Sequence, residues 1–244
     1  MNLSSKNSLN KKIIHTILIV GSLLMVIPFI WMLLTSFKTL MESMQVPPTV
    51  MPKEFVASNY KNAISILPFF TFYLNTIIVI LVRVTISTFF AAMAAYAFAR
   101  IKFPGREILF MFVLIQMMVP GQIFIIPQYL MVQKLGMLNS ISALVFPGIV
   151  TAFGTFLLRQ FFMGLPEEIE EAAIIDGANR WQIFWRVMLP LAKPGMISLS
   201  IFTALFAWKD LMWPLIVNAD LEKMPLSAGL ASLIGQFSTD YPVL

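Results

Sequence analysis

The chain has 244 residues, 59% of them hydrophobic and 12% charged, with a mean hydropathy of +0.84 and a net charge of +5. A soluble domain carries about 25% charged residues and must present a polar surface, so this apolar excess excludes a water-surrounded globule and leaves lipid to receive it. The 17 Lys and Arg are spread between apolar runs, which excludes a nucleic-acid patch, and the lack of cysteine excludes disulfides and thiolate metal sites.

Residues 1–12 read as a basic tail and residues 13–244 as a membrane domain. A helix crossing hydrocarbon needs about 20 apolar residues. Five runs qualify: 13–36, 72–98, 108–133, 138–163 and 194–218. None shows sustained period-two alternation, which argues against a β-barrel. The first run follows Lys6, Lys11 and Lys12. It is longer than the roughly 7–15 residues of a signal-peptide core and lacks a small-x-small cleavage site, so it reads as an uncleaved anchor.

Residues 38–71, with Pro47, Pro48 and Pro52, read as an irregular external segment holding a short helix near 57–66. The third run contains Pro120, Gly121 and Pro127 and is predicted to kink or break. Irregular backbone in a bilayer survives only under cover of protein or water, so this run either lines a pathway or holds a packed kink. With the N-terminus in the cytosol, ten Lys and Arg fall on the inner side and five outside, while Arg83 and Lys209 lie within spans. The positive-inside rule favours that orientation. Five spans leave the mixed tail 220–244 outside, and the chain stops where a sixth span would begin.

Residues 164–193 differ from everything around them. Glu167, Glu168, Glu170, Glu171, Asp176, Arg180, Arg186 and Lys193 place this loop in water. Pro166 suits a first helical position, with acids following in the first turn. Ile169, Ala172 and Ala173 form one face, and Asp176-Gly177 interrupts the helix. A second helix then puts Trp181, Phe184, Trp185 and Met188 on one face until Leu189-Pro190 and Pro194 end it. Physically this elbow is either a docking knob for another protein or an amphipathic loop resting on the bilayer, with its tryptophans as interfacial anchors.

The run EEAAIIDGANRWQIFWRVMLPLAKPG strongly resembles the EAA loop of bacterial binding-protein-dependent ABC importer permeases. Glu171, Ala172, Ala173, Gly177, Leu189 and Pro190 occupy the positions of that pattern. The resemblance implies a coupling helix seated in a cleft of a cytosolic ATPase subunit. It assigns Asp176, Ala178, Trp181 and Phe184 to the same junction. The segments YLNTIIVILVRVTISTFFAAMAAYAFARIKFPG, WKDLMWPLIV and KMPLSAGLASLIGQFSTDYPVL are similar to the carbohydrate-importing branch, in particular the maltose-type second permease. The implied fold is an all-α integral membrane bundle of the type I ABC importer permease kind, in the bacterial inner membrane. The implied partners are a second permease subunit, two cytosolic ATPase subunits and an external or periplasmic solute-binding protein. ATP and Mg would sit on the ATPase, with no cofactor on this chain. That family has six spans, so a sixth is expected beyond the five visible.

No G-x-x-x-x-G-K-[ST] phosphate loop occurs in the sequence, so ATP hydrolysis is expected of another subunit. His15 is the single histidine and cannot assemble a Ser-His-Asp triad or a metal cluster, which argues against an enzyme. Polar groups within spans usually face a cavity or a partner. Asn75, Arg83, Lys209 and Asp210 therefore either line the pathway or hold a gate, or they pair with each other and with helix ends. On a continuous helix Lys209 and Asp210 would point about 100° apart. Trp208 and Trp213 suit either stacking on sugar rings or membrane anchoring. The competing function is a secondary transporter or channel working without an ATPase, which no visible internal repeat supports.

Overall fold

The computed structural model describes residues 3–231 and Pro242, and among these the regular structure is helical without a strand. The chain divides into two compact units, Met1–Leu67 with Ser232–Leu244, and Pro68–Ala231. Most of the last resemblance segment, beyond Ala231, lies outside the described residues, as does any start of a sixth span.

The first unit holds α1 (Leu3–Ser36), α2 (Leu40–Ser43) and α3 (Ser58–Ile66). The 26 residues Lys11–Ser36 are long and apolar enough to cross a membrane, and their large apolar side chains stand exposed. The His15 ring bonds the Lys11 carbonyl at 2.6 Å. The segment expected to be irregular contains an ordered knot. Lys38 is only 2% exposed; its Nζ donates to the Thr49 carbonyl at 2.5 Å and stands 4.7 Å from the Trp31 ring centre. The buried Glu42 carboxylate accepts from Thr49 Oγ1 at 2.7 Å and from the Lys53 N–H at 3.0 Å. Burying a charge is costly without such partners. The burial of Lys38 is not evident from its place at the start of the external segment 38–71.

The second unit is built on α4 (Phe69–Arg100). Its buried residues, among them Phe72, Thr76, Val79, Arg83, Ser87, Ala91 and Ala95, recur every three or four positions and so form one face. Next come α5 (Arg106–Met118), a 3-10 turn Gly121–Phe124 and α6 (Ile125–Lys134). These arms meet at 101°, so the proline-marked kink is a full break. α7 (Ile141–Val145) and α8 (Ala152–Met163) follow, capped by the hydroxyls of Ser140 and Thr151 and bent by 46°. The run 138–163 is therefore two helices, with Asn139 at φ +57° before the first.

The elbow comprises α9 (Glu167–Ile175), α10 (Arg180–Ile183), a π turn Phe184–Met188 and α11 (Leu189–Leu191). A 73° bend leads into α12 (Lys193–Trp208), followed by α13 (Met212–Val217) and α14 (Leu226–Ala231). The run 194–218, expected as one span, breaks at residues 209–211. Pro214 explains this: it has no N–H for the Asp210 carbonyl, and its ring crowds that group. Ser227 Oγ donates to the freed carbonyl at 2.5 Å instead. Among the described residues two helices are long and apolar enough to cross a membrane by themselves, and up to five spans result if each bent pair counts as one.

Small residues set the packing. Ala91, Ala92 and Ala95 of α4 meet Leu158 and Phe162 of α8 and Leu199 of α12 in the lower core. A Cβ added at Gly154 would lie 3.1 Å from both the Ala91 Cβ and Leu199 Cδ2. Lipid tails are as apolar as leucine, so such close van der Waals contact, rather than apolar burial, draws these helices together. A second cluster includes Val79, Val132, Leu144, Trp213 and Val217, with Trp213 Nε1 donating to the Ala143 carbonyl at 2.9 Å.

The knot of the first unit gives a pH prediction. The Thr49 hydroxyl holds the Glu42 carboxyl below its ordinary value against the opposing effect of burial; the Lys53 N–H and the charges of Lys38 and Lys53 assist. A depressed folded value stabilises fully above the ordinary glutamate range, and that contribution is lost as pH falls through the folded value. Limited proteolysis within residues 38–56 should therefore be slow at neutral pH and accelerate on acidification. Glu42→Gln should cleave faster at neutral pH and respond less to acid; an unchanged acid response in that variant contradicts this account.

Candidate coupling site

The elbow is shaped by its caps. Pro166 lies at the N-cap, one residue before the predicted position, and Glu167, Glu168 and Glu170 fill the first turn of α9. At its end the Gly177 N–H bonds the Ile174 carbonyl and the Ala178 N–H bonds the Ala173 carbonyl, each at 3.0 Å. This pair is a Schellman cap, and it needs the left-handed φ of +81° that Gly177 adopts. A Cβ at Gly177 would meet nothing within 4 Å, so the glycine serves the backbone and leaves open space around the break. Asn179 and Gln182 then form a capping box, with two bonds of 2.9 Å, that starts α10.

The structure divides the ten sequence-assigned coupling residues. Glu171, Ala172, Asp176, Gly177, Trp181 and Pro190 are exposed. Ala173, Ala178, Phe184 and Leu189 pack on or within the lower core. Ala172 and Ala173 therefore do not share a face: α9 turns Glu170 and Ala173 inward. The predicted stripe of Trp181, Phe184, Trp185 and Met188 is also split. The buried stripe is Ile183, Phe184 and Met188, and the tryptophans lie at its edge, with Trp185 stacked on Phe89 at 5.5 Å. The helix ends between Leu189-Pro190 and Pro194, at Leu191. A π turn precedes Leu189-Pro190, the Leu189 N–H reaching the Phe184 carbonyl, and the helix passes through Pro190 to Leu191. At the tip, Ile174 and Ile175 are 47% and 85% exposed, apolar groups that the motif does not include.

Sequence reasoning also passed over Glu170. Its carboxylate is buried and accepts from Arg180 Nη1 at 2.6 Å and from the Tyr96 hydroxyl at 3.1 Å. Arg100, at the end of α4, donates to the carbonyls of Phe162 and Leu165 and lies 3.7 Å from Glu167 Oε1 and 4.0 Å from Glu170 Oε2. The available signal was spacing: Glu170 lies three residues before the inward Ala173. Arg159 braces the same end, donating to the Phe98 carbonyl at 3.2 Å with its guanidinium 4.0 Å from the Phe110 ring centre.

Of the four intramembrane polar residues, two meet. Arg83 Nη1 donates to Asp210 Oδ2 at 3.0 Å, and Arg83 Nε donates to the Leu144 carbonyl at 3.0 Å. Asn75 donates to the carbonyls of Glu222 and Met224 at 2.8 and 2.9 Å. Lys209 is exposed, its Nζ 5.3 Å from the Phe206 ring centre. Lys209 and Asp210 thus sit in a helix break rather than on a helix. Among the described residues no three His, Cys, Asp or Glu gather as a metal site. The Arg83–Asp210 pair predicts non-additivity. Asp210→Asn should cost about 1–3 kcal/mol in thermal unfolding, since the amide keeps an acceptor oxygen but removes the charge opposite a buried guanidinium. Arg83→Met should cost less in the Asp210→Asn background than alone; additive losses would show that the pair contributes nothing.

The sequence pattern of the family described as "Binding-protein-dependent transport system inner membrane component" matches residues 87–242. The diacetylchitobiose uptake system permease protein NgcG of Streptomyces coelicolor is 34% identical over 234 residues, covering 94% of this chain and 77% of that one. The arabinooligosaccharides transport system permease protein AraQ of Bacillus subtilis is 33% identical, covering 91% and 80%. The sn-glycerol-3-phosphate transport system permease protein UgpE of Yersinia enterocolitica is 30% identical, covering 90% and 80%. The crystal structure of a bacterial ABC transporter involved in the import of the acidic polysaccharide alginate superposes with a TM-score of 0.81 at 25% identity, over 100% of this chain and 90% of that one. Together with the capped elbow and its EAA pattern, these likenesses establish that the chain belongs to the binding-protein-dependent transport system inner membrane components, the permease subunits of ABC importers.

Proposed function

We propose that this permease carries a sugar or oligosaccharide inward, and that its elbow receives the work of ATP hydrolysis from a separate ATPase subunit. The observation that carries the coupling reading is the elbow itself. It is fixed by a Schellman cap and a capping box, yet it presents Ile174, Ile175 and Trp181 outward. Exposed apolar groups on a rigid, water-facing tip fit a protein cleft. The family's assembly supplies the partners: a second permease, two cytosolic ATPase subunits holding ATP and Mg, and an external solute-binding protein.

The sugar assignment draws on NgcG and AraQ, whose names specify oligosaccharides. UgpE is named for a different solute class, a glycerol phosphate. Arg100, Arg106, Arg159 and Arg180 lie toward the elbow end of the second unit, which supports a cytosolic elbow. Lys209 is the exposed member of the four intramembrane polar residues and is assigned to the solute pathway. The Arg83–Asp210 pair stands beside it at the same break, and Asn75, bonded to the carbonyls of Glu222 and Met224, is assigned to the pathway with them.

Motion then follows a simple route. Closure of the paired ATPase subunits displaces the elbow, and its links to α4 and α12 carry the displacement to the break beside Lys209. Gly177→Asp should leave the chain in the membrane and ATP hydrolysis in the purified complex largely intact. It should abolish cellular import of the oligosaccharide that stimulates the wild-type complex. Import at the wild-type rate refutes the coupling role, and import without any ATPase subunit points to an ion-driven carrier.

A further inference from the structure

The acid best placed to transmit force is not the one in the EAA pattern. Glu171 is exposed, whereas its neighbour Glu170 is 7% exposed. One Glu170 oxygen accepts from Tyr96 on α4 and from Arg180 on α10. The other lies 4.0 Å from Arg100 Nε, close enough for attraction but too far for a hydrogen bond. Arg100 in turn holds the last carbonyls of α8 and the loop after it, through Phe162 and Leu165. One carboxylate thus ties the spine helix to both arms of the elbow, and through Arg100 to the end of α8.

Stability alone does not call for an acid here. The Glu170 partner Tyr96 packs against Phe184, and Phe184 against Trp181. Replacing a whole buried ion pair by apolar groups of similar volume is often neutral or stabilising, although removing one partner alone costs stability. What a carboxylate adds is direction, because its bonds fix the distance and angle of three elements at once.

We infer that Glu170 is a positioning residue, a strut that makes the elbow and the cytosolic end of α4 move as one body. This rests on the coupling reading above. Without the strut, the elbow pivots on the link at residues 164–166 and its displacement is not passed to α4.

The chain has no cysteine, so labels can be introduced cleanly. Glu168→Cys and Lys102→Cys, both at exposed positions, place spin labels on α9 and just beyond α4. Distances are read by pulsed electron paramagnetic resonance on the complex with its co-expressed ATPase, in phosphatidylethanolamine–phosphatidylglycerol nanodiscs. The parent pair should give one narrow distance with and without MgATP. Adding Glu170→Gln should produce a second, longer distance when MgATP is present. Glu170→Leu, which fills the space without charge, should do the same. Tyr96→Phe should give a smaller second population and add nothing in combination with Glu170→Gln, since both act at one node. A purely structural contact would not make the distance depend on nucleotide. A single unchanged distance in Glu170→Gln and Glu170→Leu, or two distances in the parent, overturns the strut while leaving the coupling reading intact. If the ATPase fails to co-purify with the wild-type chain, the coupling reading falls and the strut falls with it.

Discussion

Hydrocarbon offers no hydrogen-bond partner to a backbone carbonyl, so a bundle whose helices are broken must bring its own donors to the breaks. The second unit meets this constraint mostly from one helix. Asn75 near the start of α4 reaches the carbonyls of Glu222 and Met224. Arg83 in the middle reaches the Leu144 carbonyl and the carboxylate beside the 209–211 break. Arg100 at the end reaches the carbonyls of Phe162 and Leu165. Trp213 and Ser227 perform the same service for Ala143 and Asp210. The polar side chains of α4 are fasteners, and the alanines between them let the neighbouring helices come close.

This arrangement gives the bundle both its irregularity and its rigidity. Breaks at Val119-Pro120, around Ala192 and at 209–211 give the bundle turns that straight helices could not. The fasteners hold those breaks in register with one continuous spine. The elbow joins the spine by similar means, through charged side chains rather than through a hydrophobic seam alone. A push on the elbow therefore has a physical route to Arg83, Asp210 and the neighbouring Lys209.

Much of this was legible in the sequence. Pro120 marked the deepest break because proline withholds a donor wherever it falls. Asp176-Gly177 marked the elbow because the cap requires a left-handed residue. Pro214 carried the same message for the 209–211 break, but a window of hydropathy runs straight through it. Leu189-Pro190 marked the end of the second elbow helix to within a residue, after a π turn that no pattern announced. The inward turn of Glu170 and the burial of Lys38 were hidden for another reason. In each case a distant partner, Tyr96 or Thr49, makes burial of the charge tolerable, and pattern along the chain does not reveal which residues meet across it.

The central claim is that the elbow rests against a nucleotide-hydrolysing subunit. The most direct measurement is cross-linking from Ala172→Cys in the cysteine-free chain, in membrane vesicles containing the co-expressed ATPase subunit. The account predicts an adduct with the ATPase whose yield changes on addition of MgATP. Failure to form that adduct, together with quenching of a fluorophore at residue 172 by brominated lipids, would place the elbow on the bilayer and contradict the account.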